Sequence, residues 1–201
     1  MPESPRYLTI DEIVAWKQPV DCQLSPDGTQ VAYAIADIAY VGKLPPSSVW
    51  LANTRGDRSS EQITFGPHHD SYPRWSPDGT RLAFLSDRAA LHVCQVFVLD
   101  SSLRDAKRVT DFEAGVTAFR WSPDGTGLAC VVPFAATSGD PPQRATLSDA
   151  VVYGASKPRN GLVVVPVEGG TPIDLAALVQ RPIHVLDCDW SPDGQSMVVS
   201  G

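Results

Sequence analysis

Several features common in other classes of protein are missing from this chain of 201 residues. No apolar stretch approaches the roughly 18 residues that suggest a membrane span. The opening Met1-Pro2-Glu3-Ser4-Pro5 has neither the basic segment nor the apolar core of a signal peptide. The 16 basic residues are outnumbered by 23 acidic ones, for a net charge of −7, and form no sizeable cluster. We therefore expect no membrane contact, no nucleic-acid binding and a cytoplasmic location.

Cysteine is scarce, with 4 residues, and the positions of these residues do not suggest disulfide pairs. Cys22 and Cys188 occupy equivalent places in a repeat described below, and Cys130 falls in a column of apolar residues. No two cysteines have the spacing of zinc ligands. We expect reduced thiols that behave as small buried hydrophobes, and we expect neither a metal site nor a cofactor.

A nucleophile elbow is also absent. An α/β-hydrolase would carry Gly-x-Ser-x-Gly at a strand–turn–helix junction, and the sequence contains no such motif. No catalytic, cofactor-binding or metal-binding residue is therefore assigned.

What the sequence does contain is one tetrapeptide, Ser-Pro-Asp-Gly, in four copies. The copies begin 51, 46 and 69 residues apart, and repetition at this scale is typical of solenoids and propellers. Proline fixes φ near the value that the second position of a turn needs, aspartate can accept hydrogen bonds from nearby backbone amides, and glycine makes the fourth position flexible. Each copy therefore predicts a tight reversal between two strands. The four copies start at Ser25, Ser76, Ser122 and Ser191.

The residues around each turn support this interpretation. A large apolar residue precedes every serine. The residues six, seven and eight positions after the serine are also apolar, as expected for a buried strand. The middle column of that run holds Ala32, Ala83, Ala129 and Val198, which predicts close approach of neighbouring sheets.

Each complete repeat is predicted to hold four short strands, which is typical of a propeller blade. We predict an all-β fold, a partial β-propeller of about three and a half four-stranded blades, preceded by a short N-terminal helix. A closed ring needs further blades, so the chain is either a fragment or completes its ring with another chain. The predicted segments are a lead-in at 1–19 and blades at 20–66, 67–112, 113–180 and 181–201, the last one truncated.

Two segments depart from the repeat. Thr9-Ile10-Asp11-Glu12 matches a capping box and predicts a helix over residues 10–17, which Pro19 would end. Residues 134–160 lengthen the third repeat with a composition typical of loops, and 149–153 could form a strand. Such an insertion either carries function or is a solvated excursion.

Three groups of polar residues are candidates for chemistry. The turn aspartates could bind a metal, but their recurrence favours turn formation. His68-His69-Asp70 could form a metal or catalytic cluster, although adjacent side chains on an extended segment point to opposite faces, and a polar loop between blades is the alternative. Asp187-Cys188-Asp189 could bind a cation or a substrate amine, or could be a solvated strand edge. His92 and His184 have no acidic partner at a suggestive spacing.

The Trp-Ser-Pro-Asp-Gly segments followed by apolar-Ala-apolar strands, as in residues 75–84 and 121–130, resemble the repeat shared by TolB-type proteins and the prolyl oligopeptidase (S9) family. Leu8-Thr9-Ile10-Asp11-Glu12-Ile13, which leads into the first turn, is similar to the N-terminus of the acylaminoacyl-peptidase and dipeptidyl-peptidase branches. No paired-glutamate motif of the dipeptidyl branch is present. The resemblance therefore favours the acylaminoacyl branch.

This resemblance implies a propeller that restricts access to a serine peptidase acting on short or N-acylated peptides. It implies a C-terminal α/β-hydrolase domain, with a Ser-Asp-His triad, as a partner outside this chain, and no activity of this chain alone. The alternative is a TolB-type scaffold for protein interactions. In either case, an open propeller edge is expected to favour self-association.

Overall fold

A computed structural model of the protein describes residues 17–37, 44–55, 59–100, 105–134, 159–175 and 184–200. The chain divides into two compact units, Met1–Arg108 and Val109–Gly201.

The first unit contains two antiparallel four-stranded sheets, each with its strands in sequential order. This order arises because every connection is a local hairpin, which is the arrangement of a propeller blade. The first sheet consists of β1 (Lys17–Leu24), β2 (Gln30–Asp37), β3 (Ser47–Asn53) and β4 (Ser60–Gln62). The second consists of β5 (Asp70–Trp75), β6 (Leu82–Ser86), β7 (Gln95–Leu99) and β8 (Lys107–Arg108).

The second unit contains one further four-stranded sheet and one two-stranded sheet, both antiparallel. The third sheet consists of β9 (Ala118–Trp121), β10 (Gly127–Pro133), β11 (Asn160–Pro166) and β12 (Ile173–Asp174). The fourth consists of β13 (Asp187–Trp190) and β14 (Met197–Ser200). The predicted all-β fold of propeller-type sheets is therefore confirmed, while the predicted segment boundaries stay predictions.

The beginning of the first sheet differs from the sequence-based expectation. The helix predicted over residues 10–17 lies outside the described residues, except for Lys17, which begins β1. Pro19 does not end a helix but lies within β1, where the pairing with β2 shifts register between Pro19 and Asp21. Proline is tolerated there because β1 is an edge strand and the irregularity removes the need for its missing N–H.

A second irregularity lies in β5, which is also an edge strand. The pairing of β5 with β6 shifts between Ser71 and Arg74, and Tyr72 adopts a φ of 57°. Pro73 follows directly. A positive φ is unfavourable for a residue with a Cβ, so the packing around β5 must hold this conformation in place.

The core of the first unit lies between its two sheets. Ala32, which is fully buried, belongs to one apolar cluster with Trp75, Leu82 and Phe84 of the second sheet. The prediction of close packing at the alanine column is therefore confirmed at Ala32, since large side chains of the next sheet occupy the space beside it.

The core of the second unit repeats this relationship. Ala129, at the position equivalent to Ala32, is fully buried in a cluster with Val185 and Cys188. Val198 occupies the same column in the fourth sheet, but it is 73% exposed. One face of β13 and β14 is therefore open where its counterparts in the first and third sheets are covered.

The predicted insertion at 134–160 leaves the third sheet at the end of β10 and returns at β11. Its two ends meet, because the N–H of Phe134 donates to the carbonyl oxygen of Arg159 at 2.7 Å. The strand predicted at 149–153 lies outside the described residues.

Candidate functional site

The four turn aspartates are used to build their turns. In every copy the serine Oγ donates to the aspartate Oδ1 at 2.5 to 2.6 Å. The same carboxylate accepts the N–H two residues later at 3.0 to 3.1 Å. The serine Oγ also accepts the N–H five residues after itself at 2.9 to 3.0 Å, which starts the next strand. These aspartates are Asp27, Asp78, Asp124 and Asp193.

These hydrogen bonds favour the charged form of the carboxylates. The pKa of Asp78 is lowered to about 2, first by the hydroxyl of Ser76 and then by the backbone N–H of Thr80. The pKa values of Asp27, Asp124 and Asp193 are lowered for the same reason. A carboxylic acid with a depressed pKa is a poor proton donor near neutrality, so this chemistry suits a structural role.

His68-His69-Asp70 does not form a cluster around one ligand. The Nδ1 of His69 lies 2.7 Å from the carbonyl oxygen of Pro45, whereas the His68 ring lies beside Gly66. Asp70 turns into the protein, where it is 1% exposed. The segment joins the first sheet to the second, in agreement with the polar-loop alternative.

Ser47 and His69 approach one another like a nucleophile and its base, with 3.2 Å between Oγ and Nδ1. The chemistry does not suit catalysis. Nδ1 must carry a proton to bond to the Pro45 carbonyl, so it cannot accept one from serine. The hydroxyl of Ser47 donates to the carbonyl oxygen of Asp70 at 2.8 Å. This contact therefore ties two sheets together.

Beside it lies an ion pair between a buried carboxylate and a half-buried guanidinium, which the sequence analysis missed. Nη2 of Arg88 lies 2.8 Å from Oδ2 of Asp70, and the guanidinium stands 5.1 and 5.0 Å from the ring centroids of Phe84 and Phe97. Nε of Arg88 donates to Oγ of Ser86 at 2.9 Å. The only signal in the sequence was a charged pair, Asp87-Arg88, directly after a strand of five buried residues.

Asp87 joins two loops at the same end of the first unit. Its Oδ1 accepts the N–H of His69 at 2.8 Å, and its Oδ2 accepts the N–H of His92 at 3.2 Å. The pKa of the nearby Cys94 thiol is raised to about 11. Burial is the largest cause, and the negative charges of Asp87 and Asp70 add to it. The thiol therefore stays protonated near neutral pH and is a weak nucleophile.

Ion pairs also link the first strands of neighbouring sheets. In the first unit, Nη1 of Arg74 on β5 lies 2.8 Å from Oδ2 of Asp21 on β1. The guanidinium stacks 3.6 Å from the centroid of the Tyr72 ring. Gln23 adds a second link, because its Oε1 accepts the N–H of Trp75 at 2.6 Å.

The second unit contains a similar pair, but here the arginine lies on the earlier sheet and the aspartate on the later one. Nη2 of Arg120 on β9 lies 2.9 Å from Oδ2 of Asp187 on β13. In each pair the arginine stands two residues before a turn serine, and the aspartate stands four residues before the serine of the neighbouring copy. Asp187 is thus a partner of a neighbouring arginine, while Asp189 is exposed and accepts the N–H of Trp190 at 2.9 Å.

The cysteines are unpaired, as predicted, but one of them is not buried. Cys130 and Cys188 lie in the interior, whereas Cys22 is exposed, so the expectation of a buried thiol there is wrong. The physical reason is position: Cys22 and Cys188 are equivalent in the repeat, but among the described residues only Cys188 is covered by a preceding sheet, which contributes Ala129 and Val131. Burial raises the pKa of the thiols of Cys130 and Cys188.

A cavity of about 230 Å³ lies in the second unit, between the turns of the third and fourth sheets. Asp124 and Asp193 line it, and both carboxylates are held by their own turns. Trp190 lines it as well, and its buried indole N–H has no hydrogen-bond partner within the described part of the chain. Among the described residues, no group of three or more His, Cys, Asp or Glu is arranged to hold a metal ion.

The hydrogen bonds of His184 and His92 involve backbone N–H groups. Nδ1 of His184 accepts the N–H of Asn160 at 3.2 Å, which joins the start of β11 to the segment before β13. His92 has a φ of 63° and contributes its backbone N–H to Asp87. Within the part of the chain that the structure describes, no helix is long and apolar enough to span a membrane.

No family model matches the chain. It is 30% identical over 209 residues to an uncharacterized peptidase, YuxL, of Bacillus subtilis (strain 168), with 97% of this chain and 31% of the relative aligned. The chain therefore spans about a third of the length of this curated relative.

Solved structures with the same fold include peptidases and TolB proteins. An acylaminoacyl peptidase of Pyrococcus horikoshii matches 93% of this chain and 28% of its own, with 18% identity and a TM-score of 0.59. The alignment with the AtxE2 isopeptidase covers 88% of this chain and 34% of the isopeptidase, with 17% identity and a TM-score of 0.62. TolB of Acinetobacter baumannii matches 87% and 35%, with 19% identity and a TM-score of 0.56. The resemblance to the propeller portion of prolyl oligopeptidase family peptidases is confirmed.

Proposed function

We propose that this chain is the propeller portion of a serine peptidase acting on short or N-acylated peptides, and that it limits which substrates reach a catalytic α/β-hydrolase domain outside the chain. The observation that carries this proposal is the similarity of 97% of the chain to only 31% of a peptidase. The uncovered remainder of such a relative is long enough to contain a hydrolase domain.

The chemistry of the described residues supports a role without a reaction of its own. The turn carboxylates serve their turns, the Ser47–His69 contact lacks an available base, and Cys94 is protonated. Large side chains fill the space between the sheets of each unit, and Arg–Asp pairs link their first strands. These contacts suit a rigid barrier to folded substrates.

The acylaminoacyl branch is the more specific part of the proposal. It is supported by the absence of a paired-glutamate motif for a free amino terminus. Acylaminoacyl peptidases are among the structural neighbours, although similarity at this level of identity shows only the fold. The cytoplasmic location expected from the sequence remains a prediction.

The test compares two products of the gene: residues 1–201 alone and the polypeptide with everything encoded after residue 201. We expect the longer product to hydrolyse a chromogenic N-acyl amino acid and to spare a folded protein substrate. We expect residues 1–201 alone to be inactive. Turnover by the short chain would contradict the proposal, as would a longer product without a Gly-x-Ser-x-Gly segment or hydrolase activity.

A TolB-type scaffold is the second candidate, and it is favoured by TolB proteins among the structural neighbours. In this case the sheets would bind a partner protein and no hydrolase domain would follow. The continuation of the gene decides between the two: further repeats and then a stop codon favour the scaffold, whereas a nucleophile elbow favours the peptidase.

We also propose that residues 1–201 self-associate when produced alone. Among the described residues, the fourth sheet has two strands where the other three have four, and Val198 on β14 is 73% exposed. A free strand edge beside an exposed apolar side chain promotes pairing between the strand edges of two molecules. Light scattering after size-exclusion chromatography should show oligomers that grow with concentration, and a monomer at all concentrations would contradict this.

A further inference from the structure

Each Ser-Pro-Asp-Gly turn contains an Asp-Gly bond, and such bonds rearrange readily in flexible peptides because glycine has no side chain to shield its nitrogen. The glycine nitrogen bonds to Cγ of the uncharged aspartic acid and closes a succinimide ring, while the carboxyl OH and the amide hydrogen leave as water. Hydrolysis returns that water. Opening of the ring at the main-chain carbonyl leaves isoaspartate, so the reaction needs no oxidant, metal or co-reactant.

The folded turns oppose this reaction in two ways. In all four copies the glycine N–H donates to the carbonyl oxygen of the turn serine at 2.8 to 2.9 Å, which occupies the attacking nitrogen. In all four copies the aspartate Oδ1 also accepts hydrogen bonds from the serine hydroxyl and from a backbone N–H. These bonds favour the unreactive carboxylate and oppose the side-chain rotation that ring closure needs.

The fourth copy lacks one contact that the other three share. In the first three copies a threonine hydroxyl donates to the aspartate Oδ2 at 2.8 to 2.9 Å. The fourth copy has Gln195 at this place, and among the described residues Oδ2 of Asp193 accepts no hydrogen bond. Val198 on β14 is 73% exposed, so this hairpin also has little packing to resist local opening.

We propose that Asp193-Gly194 is a modification site, at which the folded chain isomerises spontaneously to isoaspartate faster than at the other three turns. The proposal goes beyond the proposed function and does not depend on it. Isoaspartate lengthens the main chain by one carbon and displaces the carboxylate that Ser191 and the N–H of Gln195 bind. The modified hairpin therefore loses the hydrogen bonds that form its turn.

The test is peptide mapping of the full-length gene product kept folded near neutral pH for several weeks. Aspartyl and isoaspartyl peptides have the same mass and are separated by chromatography. We expect isoaspartate to accumulate at Asp193 about fivefold faster than at the other turn aspartates, the factor that corresponds to one hydrogen bond. In concentrated urea all four sites should react at similar rates, because no turn protects them. A product of Asn160-Gly161, which loses ammonia, is heavier than its parent peptide and is counted separately.

Two pairs of variants isolate the hydroxyl. Gln195→Thr supplies the missing donor and should slow isomerisation at Asp193 about fivefold. The matched control is Gln195→Val, which has the shape of threonine without its hydroxyl and should not slow the reaction. In the third sheet, Thr126→Val should accelerate isomerisation at Asp124, whereas Thr126→Ser keeps the hydroxyl and should not.

Equal slowing by threonine and valine at position 195 would overturn the inference, because the hydroxyl would then have no part in the protection. Equal rates at the four turns of the folded protein would overturn it as well. So would a folded protein without isoaspartate at Asp193 after a period in which the unfolded chain is converted. None of these outcomes depends on hydrolase activity, so they leave the test of the proposed function separate.

Discussion

Asp70 and Arg88 form an ion pair at the junction of two sheets, with 2.8 Å between Oδ2 and Nη2. The carboxylate is 1% exposed, and its Oδ1 has no hydrogen-bond partner among the residues that the structure describes. A buried carboxylate depends strongly on its counter-ion, because the desolvation cost remains when the cation is removed. The guanidinium also lies 5.1 and 5.0 Å from the centroids of the stacked Phe84 and Phe97 rings.

Arg88→Ala should therefore destabilise the first unit. We expect the free energy of unfolding to fall by about 3 kcal/mol, because the substitution leaves Asp70 buried without its cation. Urea unfolding followed by tryptophan fluorescence measures the change. The control is Arg55→Ala, since Arg55 is exposed, and it should change stability by less than about 0.5 kcal/mol. Equal effects of the two substitutions would show that the pair does not contribute to stability.

Ser76 and Ser191 form the same hydrogen bonds in their turns but differ in how deeply they are buried. Ser76 and Ser191 each donate to their turn aspartate at 2.6 Å and accept an N–H at 2.9 Å. Ser76 is fully buried, whereas Ser191 is half-buried. Ser76→Ala should cost about 2 kcal/mol, because the substitution removes a fully buried hydroxyl that accepts the N–H of Arg81 and donates to Asp78.

Ser191→Ala should cost less than half of the Ser76→Ala value, since solvent can reach its partners. Both values come from urea denaturation of the same chain. A larger loss at Ser191 would mean that the contribution of the turn hydroxyl does not depend on burial.

The sequence predicted the sheets well because their determinants are local. Turn chemistry around Ser-Pro-Asp-Gly and the apolar run after it lie within about ten residues, and both are repeated. The ion pairs were not predicted because they join residues that are 53 and 18 positions apart, as in Arg74–Asp21 and Arg88–Asp70. No local pattern specifies such partners.

The errors have a related cause. Cys22 was expected to be buried because the equivalent places in the other copies hold Pro73, Phe119 and Cys188, but burial at that position requires a neighbouring sheet on that side. Leu24, two residues on, is 57% exposed for the same reason, while the equivalent Trp75 is 7% exposed. A repeat predicts which way a side chain points, but not whether a neighbour is present on that side.

Protonation of the turn aspartates should weaken the fold in acid. The pKa of Asp78 in the folded protein is lowered from 3.8 to about 2. A depressed folded-state pKa means that the stabilisation is present above the unfolded-state pKa and is lost as the pH falls through the folded-state pKa. We therefore expect the urea midpoint to decline between pH 3.8 and about 2. Asp78→Asn should make this decline shallower, and an unchanged pH profile in this variant would contradict the assignment.

Thiol reactivity should separate Cys22 from the other cysteines. Cys22 is exposed, whereas burial raises the pKa of Cys94 and of Cys188 to about 11 and also raises that of Cys130. The native chain should therefore release about one equivalent of thionitrobenzoate rapidly at pH 8 and the remainder only after unfolding. Cys22→Ser should remove the rapid phase. A rapid phase that persists in this variant would show that an interior thiol is accessible.

Close packing of the sheets predicts that the alanine column does not tolerate larger side chains. Ala32 is fully buried and shares its cluster with Trp75, Leu82 and Phe84 of the next sheet. Ala32→Leu should lower the free energy of unfolding by about 2 kcal/mol, because the added carbons must displace these side chains. The matched control is Ala89→Leu, at an exposed position of the same unit. If the two substitutions were equally mild in urea denaturation, the sheets would have room to separate, and small side chains at this column would not be required for their packing.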